Sequence, residues 1–432
     1  MILFKRYNTI NFFNILLYKI IIIIFYIYYF MNNPLNQPKA VKLFKFNDKF
    51  KIPLIVSGQG IFMFENKDNL IPCTFAFYNS EKTDGFIVDF RLDGVKVNRI
   101  GALYPYTDPL NKLGLSNLNG AFYWFSLDSQ NKRLYAGIGE ARLDTVVYEY
   151  QLENTKYNKL FLESLDHIKV FDNSTSLKPM RLIRDPITTS IPMLVKNTND
   201  LTMDDVASGS YLPKPNLSAM SQKLYDCIGG VKFVLDTDDF PDFSKAIEYS
   251  IINPNGWCYK KLQDKSREFN PDKPNLLETY LRITLGENNG ESPGIPYVME
   301  IWPIRHYSPI HNHGGSEAVI KVLHGSINVS LFPFLCGSKD GVSSFANVNF
   351  NKDDVTWISP TLNQTHQLKN LDTSTETCIT IQCYMYDQEN LTHYDYFDYI
   401  DDNGNIQQYE PDSDMDFIEF KKQMKLEWAN KK

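Results

Sequence analysis

The chain is predicted to be mainly β, with an antiparallel β-rich module in its first half and a strand-rich module introduced by helices in its second. Two alternating apolar and polar tracts, at about 40–155 and 276–386, predict the sheets, because side chains one apart on a strand face opposite ways. Segments with apolar residues at helical spacing lie between them. At 432 residues, there is chain enough for two or three cores.

Taken in order, residues 1–30 form an apolar segment. The stretch FFNILLYKIIIIIFYIYYF at 12–30 is about as long as a membrane crossing and carries Lys19 as its one charge. It reads as a membrane anchor, or as an upstream leader with Met31 as the working start. In the second case the protein is expected to be cytoplasmic, and a membrane is a partner only in the first. Residues 40–155 then give short runs such as GIFMF, GFIVDFRLDG, GAFYWFSL and DTVVYEYQL, a β-rich accessory domain without a catalytic cluster. Tyr104, Tyr106 and Trp124 are its candidates for the rim of a ligand-binding face.

Residues 156–215 are looser, and the punctuation of NSTSLKP and SGSYLPKPN predicts a linker. Residues 216–432 form the second module. NLSAMSQKLYDCIG opens a helix capped by Asn216 or Ser218, and PDFSKAIEYSII and GWCYKKLQDKSREF predict two more. After the strand-rich tract, YDYFDYIDDNGNIQQYEPDSDMD reads as a solvated acidic face, and DFIEFKKQMKLEWANKK as a closing helix.

Composition narrows the function. Apolar residues at 43% and charged residues at 22% fit a globular protein rather than a disordered one. A net charge of -7 gives no cationic footprint for a polyanion, so nucleic acid is not an expected partner. The six cysteines, at 73, 227, 258, 336, 378 and 383, form no C-x-x-C pair and read as reduced thiols.

Three of the seven histidines fall within SPIHNHGGSEAVIKVLHGSINVSLF, at His311, His313 and His324. On a strand, His311 and His313 present both imidazoles to one side, a geometry that grips a metal ion. Glu317 follows after the turn GGS, on a second strand expected to run on through AVIKVLHGSINVSLF. DVTWISPTLNQTHQLKNLD supplies His366, with Asn370 four residues later. H-x-H-x-x-x-E followed about 50 residues on by P-x-x-x-x-x-H-x-x-x-N is a specific pattern, whereas H-x-H alone is weak. His167, His306, His324 and His393 are expected to be structural.

SPIHNHGGSEAVIKVLHGSI together with ISPTLNQTHQLKN resembles the two metal-binding motifs of the cupin superfamily, and within it the thiol dioxygenases, most closely cysteine dioxygenase. The resemblance covers roughly residues 216–387 and leaves the first module unexplained. It implies a double-stranded β-helix barrel holding Fe(2+) on His311, His313 and His366. Glu317 is a candidate fourth ligand, because many cupins bind metal through three histidines and a glutamate. The Y-x-R of ETYLRITL places Arg282 where the family clamps a substrate carboxylate, a task suited to a planar guanidinium. CITIQCYMY places Tyr384 at the family's active-site tyrosine. Gln382 then stands where relatives carry a histidine, and Thr380 where they carry a serine. Gln382 and Asn370 are the expected supporting residues. Ala318 replaces the cysteine that animal members crosslink to tyrosine.

The function so implied is iron-dependent oxidation of cysteine, or a related small thiol carboxylate, to its sulfinic acid with dioxygen. That is a step of L-cysteine catabolism towards taurine. The partners are the thiol and dioxygen. The alternatives are another cupin metalloenzyme with a 3-His-1-Glu site, or a non-enzymatic metal-binding cupin module.

Overall fold

The computed structural model describes residues 41–44, 51–65 and most of 72–431. Short stretches at 109–113, 116–121, 172–179, 287–296, 337–342 and 387–395, and a few single positions, lie outside the described residues. The apolar segment 1–30, with its anchor-or-leader question, lies outside them too, as does His393. Among the described residues, no helix is long and apolar enough to cross a membrane.

The first module is a two-sheet sandwich. Its strands are β1 (Val41–Phe44), β2 (Lys51–Pro53), β3 (Gln59–Glu65), β4 (Cys73–Tyr78), β5 (Gly85–Arg91), β6 (Gly94–Arg99), β7 (Phe122–Asp128), β8 (Arg133–Ile138), β9 (Val146–Gln151), β10 (His167–Val170) and β11 (Met180–Ile183), with helix α1 (Lys156–Glu163) before β10. One sheet runs β1-β11-β3-β7-β8-β9 and the other β2-β10-β4-β5-β6. Their inner faces meet through aromatic rings: Phe62 on β3 sits 4.9 Å from Phe75 on β4, and Phe64 sits 5.3 Å edge-on to Phe90 on β5. Each such ring buries enough surface to contribute about 1.5–3 kcal/mol. Tyr104, Tyr106 and Trp124 form no common rim. Tyr104 is exposed, Tyr106 stacks on Tyr150, and Trp124 is wholly buried.

The expected linker at 156–215 is not a linker in its first part. β10 lies between β2 and β4, and β11 between β1 and β3, so both strands complete the sandwich. Ile168, Met180 and Leu182 are buried there. Four-residue strands carry too little alternation to stand out against the Ser- and Pro-rich text around them.

Further along come β12 (Leu194–Lys196), helix α2 (Met203–Ser208) and β13 (Tyr211–Pro213). Helices α3 (Ala219–Ile228), α4 (Phe243–Ile252) and α5 (Trp257–Lys265) follow, near the predicted positions. Ser218 caps α3, its hydroxyl accepting from the Ser221 amide.

The second module is a barrel of two facing sheets. Its strands are β14 (Leu281–Gly286), β15 (Tyr297–Trp302), β16 (Glu317–His324), β17 (Ser326–Phe332), β18 (Ala346–Asn351), β19 (Val355–Ile358), β20 (Thr365–Lys369), β21 (Cys378–Met385), β22 (Phe397–Ile400), β23 (Ile406–Tyr409) and β24 (Met415–Asp416), closed by helix α6 (Phe417–Ala429). One sheet runs β19-β16-β21-β15-β14-β24 and the other β18-β17-β20. The single strand expected through AVIKVLHGSINVSLF is two. Gly325, at φ +67°, breaks the run and sends β16 into one sheet and β17 into the other. This mainly β chain, with antiparallel sheets folded into a cupin-type barrel, has the fold class predicted from its sequence.

Sandwich and barrel share a core. Immediately after β17, Phe334 and Cys336 enter the apolar cluster of the sandwich that holds Phe62 and Phe125. Gly139, at φ +95°, lies under this plug, where a Cβ would come within 2.0 Å of the Pro333 carbonyl oxygen. Arg181 of β11 donates to the Pro360 carbonyl just ahead of β20. The sandwich therefore grips the part of the barrel that leads to His366.

Candidate metal centre

His311 ends an extended segment, 307–311, that pairs with β20. Tyr307 bridges Lys369, and His311 exchanges both backbone hydrogen bonds with His366, at 2.9 and 3.0 Å. Residues paired in this way project from the same face of the ladder, so their imidazoles meet. His313 has left the ladder ahead of the turn at Gly314 and Gly315, both at positive φ. Its ring still lies 4.9 Å from that of His311 and 4.8 Å from that of His366. One ring nitrogen from each of the three falls within 4.8 Å of the others. The strand that completes the histidine face is thus β20, the later strand that carries His366.

Burial sets the charge of this cluster. It pushes His311 down to about 4 and holds His313 and His366 well below the usual imidazole value. For His313 the neighbouring imidazoles add to the effect. The rings are neutral at pH 7, the form that coordinates metals. The Nδ1 of His311 faces the Pro309 carbonyl at 3.0 Å; a proton donated there leaves Nε2 with its lone pair. His313 Nε2 lies 2.9 Å from His366 Nε2, two nitrogens for which a shared cation is a better neighbour than each other. The His313 ring is stacked on Tyr384, with Phe397 edge-on 4.6 Å away. Three neutral imidazoles suit Fe(2+), and equally nickel, copper or zinc.

Glu317 is not with them. It opens β16 facing out of the barrel, where Oε2 accepts from the hydroxyls of Ser218 and Ser221 at 2.5 Å each. Alternation is the reason: Ala318 and Ile320 point inward beside Tyr384, so Glu317, Val319 and Lys321 point towards α3. The fourth-ligand expectation is corrected accordingly. Asn370 is not at the site either. Its amide donates to the carbonyls of Trp302 and Glu376, closing the barrel end near His306. His306 itself is structural, with Nδ1 2.8 Å from the Thr279 carbonyl.

Arg282, Gln382 and Tyr384 do line the cavity with the three histidines. A residue absent from the sequence reading joins them. Glu300 of β15 lies opposite Arg282 in the sheet, and its Oε1 accepts from Arg282 Nη1 at 2.5 Å. Gln382 Nε2 donates to the other oxygen of Glu300, and the Tyr384 hydroxyl donates to Gln382 Oε1. Arg282, Glu300, Gln382 and Tyr384 thus form one buried chain. Burial raises the Glu300 carboxyl while Arg282 lowers it, and burial holds the Tyr384 phenol well above its usual value. Arg282 Nε and Nη2 are buried with no hydrogen-bond partner among the described residues. Phe397, from the tail expected to be a solvated face, is buried over the histidines. The free space is about 30 Å³ as it stands, room for water-sized groups.

No family model matches the chain. Solved structures to which it is similar include the cupin domain of Schizosaccharomyces pombe Cnp3, at 14% identity and a TM-score of 0.19, covering 25% of this chain and 64% of that one. L-ribose isomerase of Acinetobacter sp. DL28 aligns at 14% identity and a TM-score of 0.18, covering 21% and 47%. A cupin superfamily protein of Desulfitobacterium hafniense aligns at 10% identity and a TM-score of 0.18, covering 25% and 79%. The chain thus spans about half to two-thirds of the first two. The cupin-type architecture is read from the strand pairing itself, and a three-histidine group able to hold a metal lies inside it.

Proposed function

We propose that the protein is a metal-dependent thiol dioxygenase that oxidises a small thiol to its sulfinic acid, R–SH + O2 → R–SO2H, with Fe(2+) on His311, His313 and His366. The observation that carries this reading is the donor set: three neutral, converging imidazoles with the Glu317 carboxylate turned away. Three protein ligands leave coordination positions for both substrate and dioxygen, where a fourth would fill one. Bound there, iron would favour the thiolate and supply the redox chemistry of dioxygen.

The chain's own residues position and enclose. Arg282 offers its unpartnered Nε and Nη2 to an acceptor on the substrate. Gln382 fixes the Tyr384 hydroxyl, so that the phenol oxygen is held in one orientation beside the histidines. Gln382 carries no titratable proton, so it orients without relaying. Phe397 and Trp302 wall the cavity and exclude water. The outward Glu317 counts against a 3-His-1-Glu enzyme.

The test is elemental analysis of the purified protein coupled to oxygen uptake with L-cysteine. One metal per chain, with one dioxygen consumed per sulfinic acid formed, is the expected outcome. Metal-loaded protein that consumes no oxygen over a panel of small thiols would make the barrel a non-enzymatic metal-binding module.

A further inference from the structure

Glu140 follows β8 in the sandwich, and its side chain is wholly buried. A buried acid is costly unless other groups compensate it, so its surroundings show what it serves. The sandwich supplies Arg142, whose Nη1 lies 3.5 Å from Oε2, but that guanidinium already donates through Nη2 to the Ile191 carbonyl. The barrel supplies the backbone N–H of Thr365, which faces the carboxyl across the joint. Neither Oε1 nor Oε2 accepts a hydrogen bond of regular geometry among the described residues, so the acid is not consumed by its own module. Its loop is stiff. The Thr145 hydroxyl donates to the carbonyls of Glu140 and Arg142, and the Arg142 N–H donates to the Glu140 carbonyl at 2.9 Å.

Thr365 is where β20 needs such a support. Phe332 and Thr365 form the last pair between β17 and β20. Beyond it Pro333 has no N–H to continue the ladder, and it packs against Gly139, the residue beside Glu140. The start of β20 is therefore met by the sandwich, one residue ahead of His366, and any shift of Thr365 carries the imidazole with it. We propose that Glu140 is a positioning residue for the metal centre, an acceptor in the sandwich that fixes the Thr365 N–H and through it His366. The first module is then part of the metal site rather than an appendage to it. This assignment rests on the three-histidine centre and is independent of the substrate.

The test reads the metal rather than turnover. Full-length apoprotein is titrated with Co(2+), whose visible absorption reports coordination geometry, for wild type, Glu140→Leu, Glu140→Gln and Phe75→Ala. Leu fills the space without an acceptor, whereas Gln keeps an oxygen for the Thr365 N–H. Burial pushes the Glu140 carboxyl up to about 8, so the neutral amide also matches its charge at pH 7. Phe75→Ala loosens the sandwich core away from the joint. Glu140→Leu is expected to lose at least about tenfold in Co(2+) affinity and to shift the band. Glu140→Gln should stay within about threefold of wild type with the wild-type band, and Phe75→Ala should melt lower with affinity and band unchanged. Coupling is reciprocal, so Co(2+) loading of wild type should slow amide exchange at 139–145 by at least about threefold. Wild-type affinity and band in folded Glu140→Leu, or an equal loss in Glu140→Gln or Phe75→Ala, overturns the assignment and leaves the histidine centre standing. If Glu140→Leu does not fold, the exchange measurement decides, and unchanged exchange at 139–145 overturns it. Wild type that binds no Co(2+) overturns the centre and the assignment together.

Discussion

His311 and His366 are direct partners across an antiparallel pair, each accepting the other's backbone N–H on its carbonyl. Backbone geometry, more than side-chain contact, therefore fixes two of the three imidazoles. The third, His313, is placed by the turn that follows and by packing between aromatic rings.

Glu317→Ala separates ligand from bystander. Because the carboxylate serves the hydroxyls of Ser218 and Ser221, its loss should leave metal affinity within about twofold and cost roughly 1–3 kcal/mol of stability. Metal titration beside urea unfolding reads both quantities. A large drop in affinity at unchanged stability would return Glu317 to the metal.

Tyr384→Phe removes the hydroxyl that Gln382 orients and leaves the histidines untouched. Metal content should be unchanged, while oxygen uptake with the best thiol falls about 10- to 100-fold. Unaltered turnover would show that the phenol only fills space.

Phe334→Ala tests the weld between the modules. The ring is buried in the sandwich core although it belongs to the barrel by sequence, so its loss should cost about 3–5 kcal/mol. Sandwich and barrel should still unfold in one transition. Two separate urea transitions in the wild type would show that the modules are energetically independent.

Glu278 gives a pH dependence away from the metal. Burial, and then Asp402, push its carboxyl up to about 7. The folded state thus holds a proton that the unfolded chain gives up near 4.5, and stability falls as pH rises from about 4.5 to 7. After allowance for solvent screening, Glu278→Gln should stabilise the protein by about 1–2 kcal/mol at pH 8 and by little at pH 4.5. Urea midpoints at the two values check this, and an equal effect at both would show that the carboxyl titrates normally.

The legibility of this sequence follows its alternation. His311, His313 and His366 stood out because their spacing matches a paired-strand metal motif, and the structure brings them together. Glu317 misled because it follows the same motif, although the inward phase of Ala318 and Ile320 already assigned it to the outer face. Glu300 was missed inside YVMEIW. Every residue of that strand is buried, so an acid there has no solvent face and must have partners. Phe397 was hidden by acidic neighbours, whose alternation with aromatic residues is that of a half-buried strand. β10 and β11 were too short to outweigh the turn residues beside them.

Anaerobic titration of the apoprotein with Fe(2+) tests the central claim most directly, with wild type compared with His366→Ala. One equivalent should bind to wild type, and the variant should lose at least about 100-fold in affinity while its apo form melts as wild type does. Undiminished affinity in folded His366→Ala would contradict the three-histidine centre, and with it the proposed chemistry.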